Sequence, residues 1–175
     1  LTPPTANDLT YNGGDQSLVS VGTAIGGELE YALGTDDTTA PVTGWSGALP
    51  QGQNAGTYYI WYKVVGDDNH NDVAPACVAV TIEQQALTIV WGNSNFTYDG
   101  AEKFPAFNVE GIWNADDVQV TKEGAQTNAG EYTAQIIGLT GSDAGNYKLT
   151  GTLTKDFVIN KADQAAPAVN KADET

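Results

Sequence analysis

Methionine is absent from this chain, cysteine occurs once (Cys77) and histidine once (His70). One cysteine cannot form an internal disulfide, and a lone thiol in a Val-rich stretch reads as a small buried hydrophobe rather than a reactive group. One histidine leaves a Ser-His-Asp or Cys-His site a single possible base. His70 stands among Asp and Asn in an expected loop, so no catalytic residue is assigned and the chain is read as non-enzymatic. Basic side chains are scarce too: 7 Lys+Arg face 22 Asp+Glu, for a net charge of −15. So acidic a surface repels phosphate backbones and anionic lipid, which excludes nucleic acid as a partner and favours solubility. No apolar run could span a membrane, so no insertion of this segment is expected. The opening Leu1-Thr2-Pro3-Pro4, with neither initiator nor apolar leader, reads as a piece of a longer exported protein.

What is plentiful points to strands. Twenty Gly accompany frequent Thr, Val and Tyr. Without long Leu/Ala/Lys/Glu blocks, that balance favours strands and turns, an all-β fold. The chain also writes one phrase twice, Asn54-Ala55-Gly56-Thr57-Tyr58 and Asn128-Ala129-Gly130-Glu131-Tyr132. Upstream of each copy lie Tyr11-Asn12-Gly13 and Tyr98-Asp99-Gly100; downstream lie Val80-Thr81-Ile82 and Phe157-Val158-Ile159. Landmarks repeated in the same order mark two tandem modules, 9–84 and 85–160, arranged end to end. Residues 1–8 and 161–175 read as linkers, the first Pro-bearing and the second leading to a following domain. Glu83-Gln84-Gln85 is the only candidate joint, short and without Gly or Pro, which implies a stiff connection.

Within the first module short strands are expected at Leu9–Tyr11 and Gln16–Thr23. Glu28 to Leu33 alternates cleanly, with Leu29, Tyr31 and Leu33 on the dry side and Glu28, Glu30 and Ala32 on the wet one. The strongest strand runs Thr57 to Gly66, with Tyr58, Ile60, Tyr62 and Val64 on one face and Tyr59, Trp61, Lys63 and Val65 on the other. Large groups on both faces predict a central strand. Pro75 to Ile82 closes the module. The second repeats the plan with strands at Ala86–Trp91, Phe96–Tyr98, Lys103–Val109, Val118–Glu123 and Glu131–Leu139. One helical turn near Ser142-Asp143 follows, then one or two strands over Asn146–Ile159. The Asn-Ala-Gly-x-Tyr phrase is read as a strand-entry corner: Asn bonds to nearby backbone, Ala leaves room for a neighbour and Gly allows a close approach.

These landmarks resemble the MBG modules, of the YGX and YDG types, of bacterial cell-surface proteins. The likeness rests on Tyr11-Asn12-Gly13 and Tyr98-Asp99-Gly100, the two corners with Asn54, Gly56, Tyr58 and Asn128, Gly130, Tyr132, and the final Val/Phe-x-Ile strands. Asn146-Tyr147-Lys148-Leu149 is similar to the family's Asn-Tyr-x-Leu element; the first module departs there, reading Asp68-Asn69-His70-Asn71-Asp72. The resemblance implies a small β module, β-grasp-like or an immunoglobulin-like sandwich. It implies too a place in a large exported, adhesin-like or wall-attached protein; the segment is accordingly read as a structural stalk, monomeric, whose partners are the adjacent domains of its own polypeptide. It supplies no catalytic residues and no cofactor.

Two further site classes remain open. Sugar binding would use exposed aromatic faces, for which Trp45, Tyr59 and Trp61 are the candidates, making the first repeat a carbohydrate- or glycoprotein-binding module. Calcium would use the oxygen-bearing loop Asp67, Asp68, Asn69 and Asp72, although its spacing is not an EF-hand. Adjacent acids such as Asp36-Asp37 and Asp116-Asp117 point apart on extended chain and do not make a glycosidase pair.

Overall fold

The computed structural model describes residues 1–113 and 116–164. From residue 165 onward the expected second linker, including Lys171-Ala172-Asp173, lies outside the described residues. Strands β1 (Leu9–Thr10), β2 (Gln16–Ser17), β3 (Gly27–Gly34), β4 (Gln51–Gly52), β5 (Gly56–Gly66) and β6 (Val73–Glu83) precede Gln84. Following it are β7 (Gln85–Trp91), β8 (Asn95–Thr97), β9 (Phe107–Glu110), β10 (Gln119–Glu123), β11 (Gly130–Thr140), β12 (Tyr147–Thr150) and β13 (Thr154–Asn160). The single helical element among the described residues is a 3-10 turn, Ala144–Asn146. The molecule is therefore all-β, and its second layers are strand rather than the helix a β-grasp would pack on its sheet.

Each sheet draws its strands from one side of Gln84, and the two main sheets share a plan. The first has the order β1-β6-β5-β3 and the second β8-β13-β11-β10. In both, a short strand lies parallel to the closing strand, Leu9 opposite Ile82 and Phe96 opposite Ile159. In both, the glycine of the corner phrase opposes that same isoleucine, Gly56 to Ile82 and Gly130 to Ile159. Even the turn that follows is shared: the Tyr11 N–H donates to the Glu83 carbonyl, and the Tyr98 N–H to that of Asn160, each at 2.8 Å. The internal repeat is thus a repeat of hydrogen-bond register. Over the second sheet lies a three-stranded layer, β12-β7-β9. The first unit has a less regular counterpart, the pair β2-β4 and isolated bridges from Thr2 to Thr23 and Ala6 to Val19.

Those bridges bear on the opening stretch, expected as a linker. Thr2 and Thr23 exchange backbone bonds of 2.7 and 2.9 Å, Ser20 donates to Thr5, and Asn7 donates to Leu18. Pro4 is buried. A proline has no N–H to leave unpaired, so this segment lies flat along the unit without a full ladder.

The strand faces follow the alternation. On β5, Ile60 and Val64 are buried and Tyr58 and Tyr62 pack on the same cluster; on β11, Ala134 and Ile136 are buried. β3 departs from its expected faces: Ala32 is buried, while Leu33 is half exposed. The cause is across the ladder, where Ala32 stands opposite Trp61, whose indole Nε1 donates to the Asp36 carbonyl at 2.9 Å. The excursion after β3 therefore covers the face expected to be wet. Gly34 makes room for it, since a Cβ there would stand 2.5 Å from the Trp61 ring. Lys103–Val109 yields only the short β9, because Pro105 interrupts the ladder and is itself buried.

One buried cluster runs across the boundary between the units. Tyr11, Leu18, Val19, Tyr31, Ile60, Val80 and Ile82 share it with Leu87 and Tyr147 of the second unit. A smaller cluster, Ala134, Phe157 and Ile159 with Trp91, Phe96 and Phe104 against it, fills the far end.

Candidate functional site: the junction between the two units

The corner phrase explains itself in atoms. The Tyr58 hydroxyl donates to the Asn54 carbonyl at 2.7 Å, and Tyr132 to Asn128 at 3.0 Å. Asn and Tyr four positions apart thus tie the entry to the central strand of each sheet. In the second copy a Cβ on Gly130 would stand 2.8 Å from the Tyr132 hydroxyl, so the ring can fold back only over glycine.

The first corner does more. Asn146, buried at 6% exposure, reaches across from the second unit. Its side-chain oxygen accepts from the Ala55 N–H at 2.8 Å, and its amide donates to the Asn54 side-chain oxygen at 3.2 Å. A buried amide must be satisfied on both ends, so this pair fixes register as well as contact. Beside it, Gln84 donates from its side chain to the Gly145 carbonyl at 2.9 Å. Tyr11 and Tyr147 meet edge to face, ring centres 5.3 Å apart, and both hydroxyls donate to one oxygen of Asp116. Tyr147 in turn accepts from the Trp113 N–H at 3.0 Å. Tyr11 comes from the first unit; Tyr147 and Asp116 come from the second. Burial, with the Asp116 carboxylate adding to it, pushes the Tyr147 phenol up to about 12 and raises Tyr11 in the same way. Gly13 completes the contact: at φ +79°, its missing Cβ would lie 3.3 Å from that of Trp113.

The glycan candidates are less available. Trp61 is 6% exposed, and so presents no open face. Trp45 donates its Nε1 to the Pro41 carbonyl, and the Lys63 ammonium sits 4.7 Å over its ring. Tyr59 is half-buried opposite Gly34. In the acidic loop, Asp67 accepts from the Asn69 N–H and bonds the His70 ring, and Asp72 accepts from the Gly66 N–H. Those carboxylates act as turn caps. The His70 bond, then the Asn69 N–H, hold the Asp67 carboxyl below its ordinary range. Among the described residues no group of three or more His, Cys, Asp or Glu is placed to hold a metal ion. The adjacent acids diverge, Asp116 towards the junction tyrosines and Asp117 towards the Ser142 N–H. Cys77 lies opposite Trp61 on β6, and burial pushes its thiol up, away from a reactive thiolate.

Sequence reasoning therefore singled out Tyr11, Gly13 and Asn54 as landmarks without their cross-unit partners. Asp116 and Asn146 were the missing half. The signal for them was the Asn146-Tyr147 element, which occurs only in the second of the two units. No protein-family model matches the chain, and no curated protein matches it in sequence. Among the described residues no helix is long and apolar enough to cross a membrane.

Proposed function

We propose that this chain is a non-catalytic stalk segment of a large exported bacterial surface protein of the adhesin-like kind, made of two MBG-type units in series. One observation carries the reading: the joint is built, not merely short. β6 ends at Glu83 and β7 begins at Gln85, leaving Gln84 alone between strands. That residue, the corner and the tyrosine pair are all engaged across the boundary. Ordering so many side chains costs conformational entropy, which two independently acting binding heads would have no use for. A spacer that must hold a distal domain away from a surface does use it. The acidic exterior suits the same role, since like-charged stalks resist lateral association.

The test is mechanical. Small-angle scattering at low and high salt is expected to return one fixed shape, and a spread of angles between the units would sink the spacer reading. An array of mucin and plant glycans is expected to stay silent; binding lost in Trp45→Ala or Tyr59→Ala would replace this reading with a carbohydrate-binding one.

A further inference from the structure

The register shared by the two sheets allows the ends of the units to be compared residue by residue. Tyr11 corresponds to Tyr98, Gly13 to Gly100, and Asn54-Ala55 to Asn128-Ala129. In the first unit this set is engaged by the second, although Asn54 itself stays exposed. Tyr11 is 3% exposed, the Ala55 N–H and Asn54 side chain bond to Asn146, and Trp113 lies against Gly13. In the second unit the same set lacks those contacts among the described residues, and the difference in exposure lies at Tyr98 and Gly100. Tyr98 is 42% exposed, and a Cβ on Gly100, at φ +83°, would meet nothing within 4 Å. Among the described residues the Asn128 amide and the Ala129 N–H have no hydrogen-bond partner. Tyr98, Asn128 and Ala129 instead line an open cleft of about 410 Å³, with Lys161 to Gln164 along its side. Gln84 occupies the place of Lys161 in the first unit, one residue past the Tyr-bonded carbonyl.

We propose that this far end is a docking socket for a further unit of the same kind, one presenting the Trp113, Asp116, Asn146 and Tyr147 end of the second unit. The inference rests on the reading of the chain as tandem units in series and extends it: the junction is a reusable joint rather than a single event. The chemistry is set by what the first junction already does. An Asn amide satisfies the Ala129 N–H and the Asn128 oxygen together, a carboxylate accepts the Tyr98 hydroxyl, and an indole lies over Gly100 where side-chain bulk is missing.

The test adds a unit to the chain. Residues 1–162 are followed by a second copy of 86–164, which reproduces the spacing from Glu83 to Ala86, and the added copy carries Tyr98→Phe so that only the inner Tyr98 is read. Nitration by tetranitromethane is followed by peptide mapping. In the original chain Tyr98 is expected to react readily and Tyr11 slowly. In the extended chain Tyr98 should slow by about tenfold or more, as for a junction open a tenth of the time or less. Asn128→Ala should restore most of its reactivity. An added copy that folds yet leaves Tyr98 as reactive as before overturns the proposal. So does one that fails to fold on this end, since the same unit folds against the first. Tyr11 reports separately: if it reacts as fast as Tyr98 in the original chain, the stiff junction itself fails, and with it the stalk reading.

Discussion

Replacing Asp116 by alanine is the perturbation to which the junction should respond most. The carboxylate accepts both Tyr11 and Tyr147, one from each unit. A hydrogen bond to a charged acceptor contributes about 1.5–3 kcal/mol. Asp116 is itself half-buried, so water reaches part of the vacated space and the lower figure applies to each bond, about 3 kcal/mol together. The edge-to-face contact of the two rings survives, worth about 0.5–1.5 kcal/mol, as does the burial of Leu87. The loss therefore falls on the coupling between units more than on either core. Urea unfolding read by amide exchange should show a lower midpoint, and protection in β5 and β11 should be lost at separate urea concentrations rather than together. Asp116→Asn, which keeps an acceptor without the charge, should lie between. Because the two tyrosines share an oxygen, Tyr11→Phe and Tyr147→Phe should combine non-additively. If Asp116→Ala moves the midpoint no more than the exposed Glu102→Ala, the reasoning is wrong.

The remaining expectations are narrower. Tyr147 and Tyr11 ionise above their ordinary value of 10 when folded; the folded state holds these protons more tightly, so their contribution is complete below pH 10 and is lost as pH rises towards 12. Near-ultraviolet titration should show two late phenols whose ionisation accompanies separation of the units; early, freely reversible ionisation of all the tyrosines would refute this. Tyr58→Phe and Tyr132→Phe should each cost about 1 kcal/mol in urea melts, one neutral hydrogen bond apiece; no change in either would remove the corner's rationale. Ile60→Ala and Ile136→Ala, both fully buried, should cost about 2–5 kcal/mol, and a smaller cost would mean looser cores than the burial implies. Calcium or EDTA should leave the melting temperature unchanged, because Asp67 and Asp72 already cap their own turn; a calcium-dependent rise lost in Asp67→Asn would revive the metal reading.

Much of the fold was legible because its signals are local. Alternation put Ile60 and Val64 on one face of their strand, a face the structure buries, and the repeated phrase aligned the two units to the residue. It failed where the deciding neighbour is distant in sequence. Ala32 is buried because Trp61 and the chain at Asp36 cover it, and nothing in Glu28–Leu33 announces that cover. The opening residues carry prolines and polar groups, a linker's composition, yet find partners at Thr23, Ser20 and Leu18. The junction was half legible. Tyr11 and Asn54 stood out by repetition, whereas Asp116 looked like one of many surface acids, and only its placement between two tyrosines distinguishes it. Trp61 was illegible for the same reason: a tryptophan on a second sheet face reads alike whether open or roofed over.

The central claim is that the two units are held in one orientation by side chains, not merely by a short tether. Residual dipolar couplings from the backbone amides of β3, β5 and β6 and of β10, β11 and β13 test it most directly. A single alignment tensor should fit both sets in the native chain, and two distinct tensors should be needed in Asp116→Ala. Two tensors of different magnitude in the native chain would contradict the account.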